Sequence, residues 1–247
     1  MSRGAAGPYL SSMELKGGAA VVTGASRGIG RAVAEALAKE GMRLVIGGRD
    51  PGRLEEAARA LGGDVETVAG DVGDEAVASR LVETAVARFG RLDVVVNNAG
   101  IGHHGRLEDM DPAEFDRVYR TNVRGPFLVM KAAIPVMRRQ KRGTLVSLAS
   151  LAGRNPVPMR AAYAATKWAM IGLSRSVLQE VRKEGIRVII LEPGSTLTEF
   201  GHDPSKMAQA EKLVRPEDVA AVLVAALKLP DRATVSEIEI RPTDPPA

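Results

Sequence analysis

Short apolar runs alternate with stretches of helical periodicity along most of the chain. Ala19-Ala20-Val21-Val22 is the first run and ends in Thr23-Gly24-Ala25-Ser26-Arg27-Gly28-Ile29-Gly30. Ala32, Val33, Ala36 and Leu37 then recur at helical spacing up to Gly41, so the order is strand, glycine turn, helix. Arg43 to Gly48 reads as a second strand, followed by a helix that Asp50 and Pro51 can start. Val65 to Ala69 and Leu92 to Val96 read as the third and fourth strands, with a helix from Asp74 to Phe89 between them. Two helical stretches, about Pro112 to Thr121 and Val123 to Gln140, precede a fifth strand at Thr144 to Leu148. A long helix from Ala161 to Lys183, a sixth strand at Ile186 to Leu191, a helix at Pro216 to Leu227 and a seventh strand at Val235 to Ile240 complete the pattern. Strands alternating with helices of this length form βαβ units. The expected fold class is therefore α/β, with a single doubly wound parallel seven-stranded sheet and helices on both faces.

No linker or repeat divides this pattern, so residues 13–247 are expected to form one domain. Residues 1–12 are small, polar and punctuated by Gly and Pro, which reads as a disordered tail without the apolar core of a signal peptide. The polar stretch Pro204 to Lys212 is a candidate lid.

A chain of 247 residues with 45% apolar and 26% charged content is ordinary for a soluble globular protein. There is no cysteine, which excludes a thiolate nucleophile, an iron–sulfur cluster and any disulfide. The net charge of +4 is too small to argue for nucleic acid unless it clusters. The one cluster (Arg138, Arg139, Lys141, Arg142) reads as a helix end. No apolar run is long enough to span a bilayer, and a cytoplasmic location is expected.

The unusual residues fall where apolar runs end: the glycine turn, Arg49, Asp71, Asn97 to Gly100, Ser150, and Pro193 to Thr198. In a doubly wound sheet, ligands bind outside the carboxyl ends of the strands, so one site accounts for all six. Gly24, Gly28 and Gly30 let backbone approach a pyrophosphate at a helix N-terminus. An acidic residue ending the second strand would hold the ribose of NAD. Gly48-Arg49 stands there instead, with Arg27 in the turn, and two guanidiniums suit the 2′-phosphate of NADP. Asp50 is mainly a helix cap.

Tyr163 and Lys167 lie one helical turn apart on the same face. A tyrosine works near neutral pH only if its pKa falls from about 10 to about 7, roughly 4 kcal/mol of differential stabilisation. A neighbouring ammonium works in that direction.

With these motifs together, the chain resembles the short-chain dehydrogenase/reductase family in its shorter, non-extended branch, over about Leu15 to Ile240. The motifs stand as Thr23-Gly24-x-x-x-Gly28-x-Gly30, Asn97-Asn98-Ala99-Gly100, Asn122, Ser150, Tyr163-x-x-x-Lys167 and Pro193-Gly194-x-x-x-Thr198. The resemblance implies a Rossmann fold and an NADP(H)-dependent hydride transfer between a carbonyl and an alcohol. Tyr163 would be the general acid/base, and Lys167 would assist it and hold the nicotinamide ribose. Ser150 would bond the substrate oxygen, in preference to Ser147, and Asn122 would hold a relay water. Cofactor contacts would come from Gly24, Ser26, Arg27, Gly28, Ile29, Gly30 and Arg49 around the phosphates. Asp71 and Val72 would lie at the adenine, and Asn98, Ala99 and Gly100 beside the fourth strand. Pro193, Gly194, Thr196 and Thr198 would face the nicotinamide. A small-molecule substrate is implied, with no nucleic-acid or membrane partner, and so is a homodimer or homotetramer through the two long helices, with Trp168 as a packing anchor.

The chain departs from the family at Ile189, where an asparagine is common, and at Glu192, where an apolar residue is common. The ending from Val235 to Pro242 lacks the glycine-rich tail of reductases linked to acyl-carrier protein. His103 and His104 diverge in direction, lack a third ligand and read as the edge of the substrate mouth, and hydride transfer needs no metal. A sugar-nucleotide epimerase or dehydratase and a non-catalytic redox-sensing binder remain as competing readings.

Overall fold

In the computed structural model, which describes residues 14–200 and 209–244, seven strands form one sheet in the order β3-β2-β1-β4-β5-β6-β7. They are β1 (Ala19–Thr23), β2 (Arg43–Gly48), β3 (Val65–Ala69), β4 (Val94–Asn97), β5 (Gly143–Leu148), β6 (Ile186–Pro193) and β7 (Glu237–Ile240). Every neighbouring pair is parallel. The expected α/β doubly wound sheet is therefore the observed one. The expected N-terminal tail and the first part of the candidate lid, residues 204–208, lie outside the described residues.

Side chains of the central strands alternate between two cores. Ala20, Val22, Val94, Val96, Val146 and Ile189 face a layer containing α1 (Gly28–Lys39) and α2 (Pro51–Leu61). Val21, Val45, Val95, Leu145 and Val188 face a layer containing α3 (Glu75–Phe89). Burial on both faces is why these strands read as continuous apolar runs rather than alternating ones. Ile189 sits in the first core, where an amide would lack a wet partner.

The remaining helices are α4 (Pro112–Tyr119), α5 (Gly125–Gln140), α6 (Ala161–Val181) and α7 (Pro216–Leu227). α7 packs against α1, and α5 against α3. The two helical stretches expected either side of Asn122 are one rod, joined by a π-turn over Arg120–Arg124. Helix starts follow the expected capping: the Asp50 carboxylate accepts from the Arg53 amide at 3.1 Å, and Asp111 caps α4.

Candidate active site

The sheet order reverses between β1 and β4, and a crevice of about 490 Å³ opens at the carboxyl ends of the strands there. Its walls hold the residues that end β1, β2, β3, β5 and β6, together with Asn98 just past β4.

The nucleotide end is shaped by the glycine turn. Gly24 has φ +65°, and a Cβ on it would stand 2.8 Å from the Ala99 Cα. A Cβ on Gly30 would overlap the Gly24 carbonyl and the Asn98 amide, so the turn can fold back on α1 only with glycine at that position. Thr23 and Asn98 then tie the turn to the end of β4. The Thr23 hydroxyl accepts from the Asn98 and Ala99 amides at 3.0 Å, and Asn98 Nδ2 donates to the carbonyls of Thr23 at 2.9 Å and Gly24 at 3.1 Å. Asn98 is thus a clamp within the protein. Thr23 opens the glycine motif in the sequence, but the anchoring role of its hydroxyl is seen only in the structure; a Thr placed last in an otherwise apolar strand is the signal that could have suggested it.

Ser26, Arg27, Gly28, Ile29, Arg49, Asp71, Val72 and Gly100 line the same end. Arg27 forms a 2.6 Å ion pair with Glu199, which spans the crevice mouth to the loop after β6. Asp71 accepts from the Gly73 amide at 2.8 Å and from Arg120 Nε at 3.2 Å. The donor set fits a dinucleotide phosphate. The first turn of α1 has no side-chain cap, and a Cβ on Gly28 would stand 3.4 Å from Thr198 Cγ2, within the slot that faces the turn.

At the other end stand Ser150, Tyr163 and Lys167, with Pro193, Gly194, Thr196 and Thr198 opposite. The Ser150 hydroxyl accepts from the Ala152 amide at 3.1 Å and donates to the Pro193 carbonyl at 3.4 Å, with the Tyr163 phenol lining the same end. Ser147 is fully buried and accepts from the Ser174 hydroxyl at 2.8 Å, away from the crevice, which separates the two serines. Tyr163 is 9% and Lys167 6% exposed. Lys167 Nζ donates to the Leu148 carbonyl at 2.7 Å and lies 5.6 Å from the centre of the Tyr163 ring. The Phe200 ring leans over the same phenol, 5.6 Å between centres.

Electrostatics here differ from the sequence expectation. Burial pushes the Tyr163 phenol up, and the Ser150 hydroxyl and the Arg160 charge offset it only in part. Burial likewise holds the Lys167 ammonium down, at about 8. Two groups sharing one dry pocket both lose hydration, and burial is the largest influence on each. The phenol keeps its proton, the state a general acid requires.

Asn122 and Gly30 stand behind the wall. The Asn122 amide bonds both backbone groups of Ile101, at 2.8 and 2.9 Å, and the Thr166 hydroxyl at 3.0 Å. Its side chain therefore holds the start of the loop after β4 and does not reach Lys167 directly. His103 and His104 are not among the described residues lining the crevice. Trp168 is 55% exposed on the outer face of α6 and anchors nothing within the chain's own core.

Glu192 is 0% exposed at the end of β6, bound bidentately by Arg154, which also meets Glu237 and lies 3.5 Å from Glu239 on β7. Arg175 on α6 bonds both oxygens of Glu237, at 2.7 and 2.9 Å. The two arginines hold the Glu237 carboxyl at about 2, and the carboxylates push Arg154 well above its ordinary value. This network ties the loop that carries Ser150 to β6 and β7. The sequence showed Glu192 as a departure but not its partner.

The short chain dehydrogenase family model matches residues 18–209. An uncharacterised oxidoreductase from Staphylococcus saprophyticus is 32% identical over 234 residues, covering 93% of this chain and 99% of that one. The crystal structure of a metagenomic short-chain oxidoreductase in complex with NADP superposes with TM-score 0.82 at 36% identity, covering 94% of this chain and 100% of that chain. A 3-ketoacyl-(acyl-carrier-protein) reductase from Brucella melitensis complexed with NADH gives TM-score 0.85 at 32% identity, covering 93% and 98%. The chain belongs to the short chain dehydrogenase family. Among the described residues no helix is long and apolar enough to cross a membrane.

Proposed function

We propose that the chain is an NADP(H)-dependent oxidoreductase acting on a carbonyl or secondary alcohol, with Tyr163 as general acid/base. The observation that carries this reading is that Ser150, Tyr163 and Lys167 line the same crevice as the glycine turn. The nicotinamide supplies the hydride when bound. The turn, Arg27 and Arg49 would hold its phosphates, Asp71 and Val72 its adenine, Lys167 its ribose, and Thr196 and Thr198 its carboxamide. Asp50 is engaged as a cap, which leaves arginine as the determinant at the end of β2 and supports NADP over NAD.

Ser150 orients the carbonyl oxygen towards Tyr163, and the protonated phenol delivers its proton to that oxygen as the alkoxide develops. Lys167, fixed by the Leu148 carbonyl, places a positive charge beside the phenolate that results. Asn122 would serve a water relay through groups other than its engaged amide. A 3-oxoacyl thioester falls within this substrate class, as the name of the Brucella neighbour suggests. A homodimer or homotetramer would cover Phe127 and Trp168, both exposed on α5 and α6. The test is NADPH oxidation against a panel of ketones, ketoacyl thioesters and sugars, with Tyr163→Phe as the control. Turnover that survives in the variant would remove the assignment.

A further inference from the structure

Arg160 stands three residues before Tyr163, at the N-cap of α6, and lines the crevice beside Leu151, Val157 and Phe200. Among the described residues no carboxylate pairs with it. Arg154, six residues earlier on the same loop, is bonded to two carboxylates and close to a third. A guanidinium without an internal carboxylate keeps its planar fork of donors available to a carboxylate that enters the crevice.

The backbone beside it is also unusual. Met159 has φ +61°, a conformation that costs a residue with a Cβ about 1 kcal/mol or more. Its carbonyl accepts from the Gly105 amide at 2.8 Å, so the loop after β4 holds this strained link in place. Strain of this kind persists where the surroundings fix it, and it clusters at ligand sites. Here it sets the entry of the chain into α6, and with it the position of Arg160 relative to Tyr163.

We propose that Arg160 determines specificity by binding a carboxylate on the carbonyl substrate, so that the favoured substrates are oxo acids with an apolar body. This rests on the oxidoreductase reading above. Tyr163 and Ser150 take the oxygen that is reduced, Leu151, Val157 and Phe200 cover the carbon skeleton, and the planar guanidinium takes the acid group in a two-point contact. The charge of Arg160 also reaches the phenol, so the test must separate recognition from an effect on Tyr163.

Matched pairs of 2-, 3- and 4-oxo carboxylates and their methyl esters are assayed with saturating NADPH. The unsubstituted enzyme should favour the acid in at least one series, and Arg160→Met should lower kcat/KM for that acid by about 10- to 100-fold while changing the ester less than about threefold. Arg160→Lys should recover part of the loss. Equal losses on acid and ester, with a shifted pH profile, would overturn the inference, since Arg160 would then act through Tyr163. A second readout is carboxylate binding to the NADPH complex of Tyr163→Phe, measured by calorimetry with and without Arg160→Met. Binding that needs Arg160 supports the proposal even if no compound in the panel is reduced. If no carboxylate binds, or binding ignores Arg160, the proposal fails. Reduction of neutral ketones by an enzyme indifferent to carboxylates would leave the oxidoreductase reading standing and remove only this one.

Discussion

The nucleotide end of the crevice is shaped by glycines and tied by the neutral side chains of Thr23 and Asn98, whereas the other end is lined by the buried ionisable side chains of Tyr163 and Lys167. At the first, Thr23, Gly24 and Asn98 satisfy one another's hydrogen bonds, and the turn keeps its shape through contacts inside the protein. At the second, Tyr163 and Lys167 lose hydration, and their titration moves away from ordinary values. On the function proposed above, that difference separates binding from chemistry. A cradle of backbone amides accepts a phosphate at any ordinary pH, while proton transfer depends on groups whose charge state the protein controls.

The largest expected effect falls on the reacting end alone. Tyr163→Phe should lower kcat by about 10³ while NADPH affinity, measured by fluorescence, changes less than about threefold. A comparable loss of NADPH binding would show that the two ends are not separable. Next comes Arg154→Met, which strands the Glu192 carboxylate in the interior. Stability should fall by about 3 kcal/mol in denaturant titrations. An unchanged midpoint would mean that this network does not support the Ser150 loop.

Arg49→Asp acts at the opposite end, removing one guanidinium and adding a repulsive charge. The ratio of kcat/KM for NADPH over NADH should drop by about tenfold or more, roughly 1.4 kcal/mol. An unchanged ratio would place recognition of the 2′-phosphate on other groups. The smallest effect concerns Lys167 in the cofactor-free protein. Its folded value of about 8 lies below the ordinary lysine value, so between those two limits the unfolded chain binds more protons. Stability therefore gains about 1 kcal/mol from this group between pH 8 and pH 9. Lys167→Met should flatten that rise in thermal melts, and an unaltered slope would mean that the ammonium is better hydrated than its burial implies.

Much of this was legible in the sequence, for physical reasons. Strands buried on both faces leave long apolar runs, and the order of strands and helices defines the sheet. Residues at strand ends stood out because polar and glycine residues interrupt those runs. Helix spacing alone put Tyr163 and Lys167 on one face. What escaped were relations between distant residues. The pairing of Arg154 with Glu192 and Glu237 joins segments 38 and 83 positions apart, and no periodicity links them. The pull of lysine on tyrosine was read from charge, whereas the outcome depends on burial, which only the packed structure reveals. No spacing or run in the sequence distinguishes Arg160 from Arg154, and only the packed structure shows that the second has carboxylate partners and the first has none among the described residues.

The π-turn at Arg120–Arg124 carries a consequence for the architecture as a whole. One surplus residue in a helix advances the phase of everything beyond it by about 100°. The rod from Pro112 to Gln140 can therefore present its first part to α6 and its second to α3, without a break in the chain. Deleting a single residue there would leave a perfectly good helix whose contact faces no longer match both neighbours, and Asn122 would turn away from Ile101. The loop after β4 would then lose its anchor although no residue of that loop had changed.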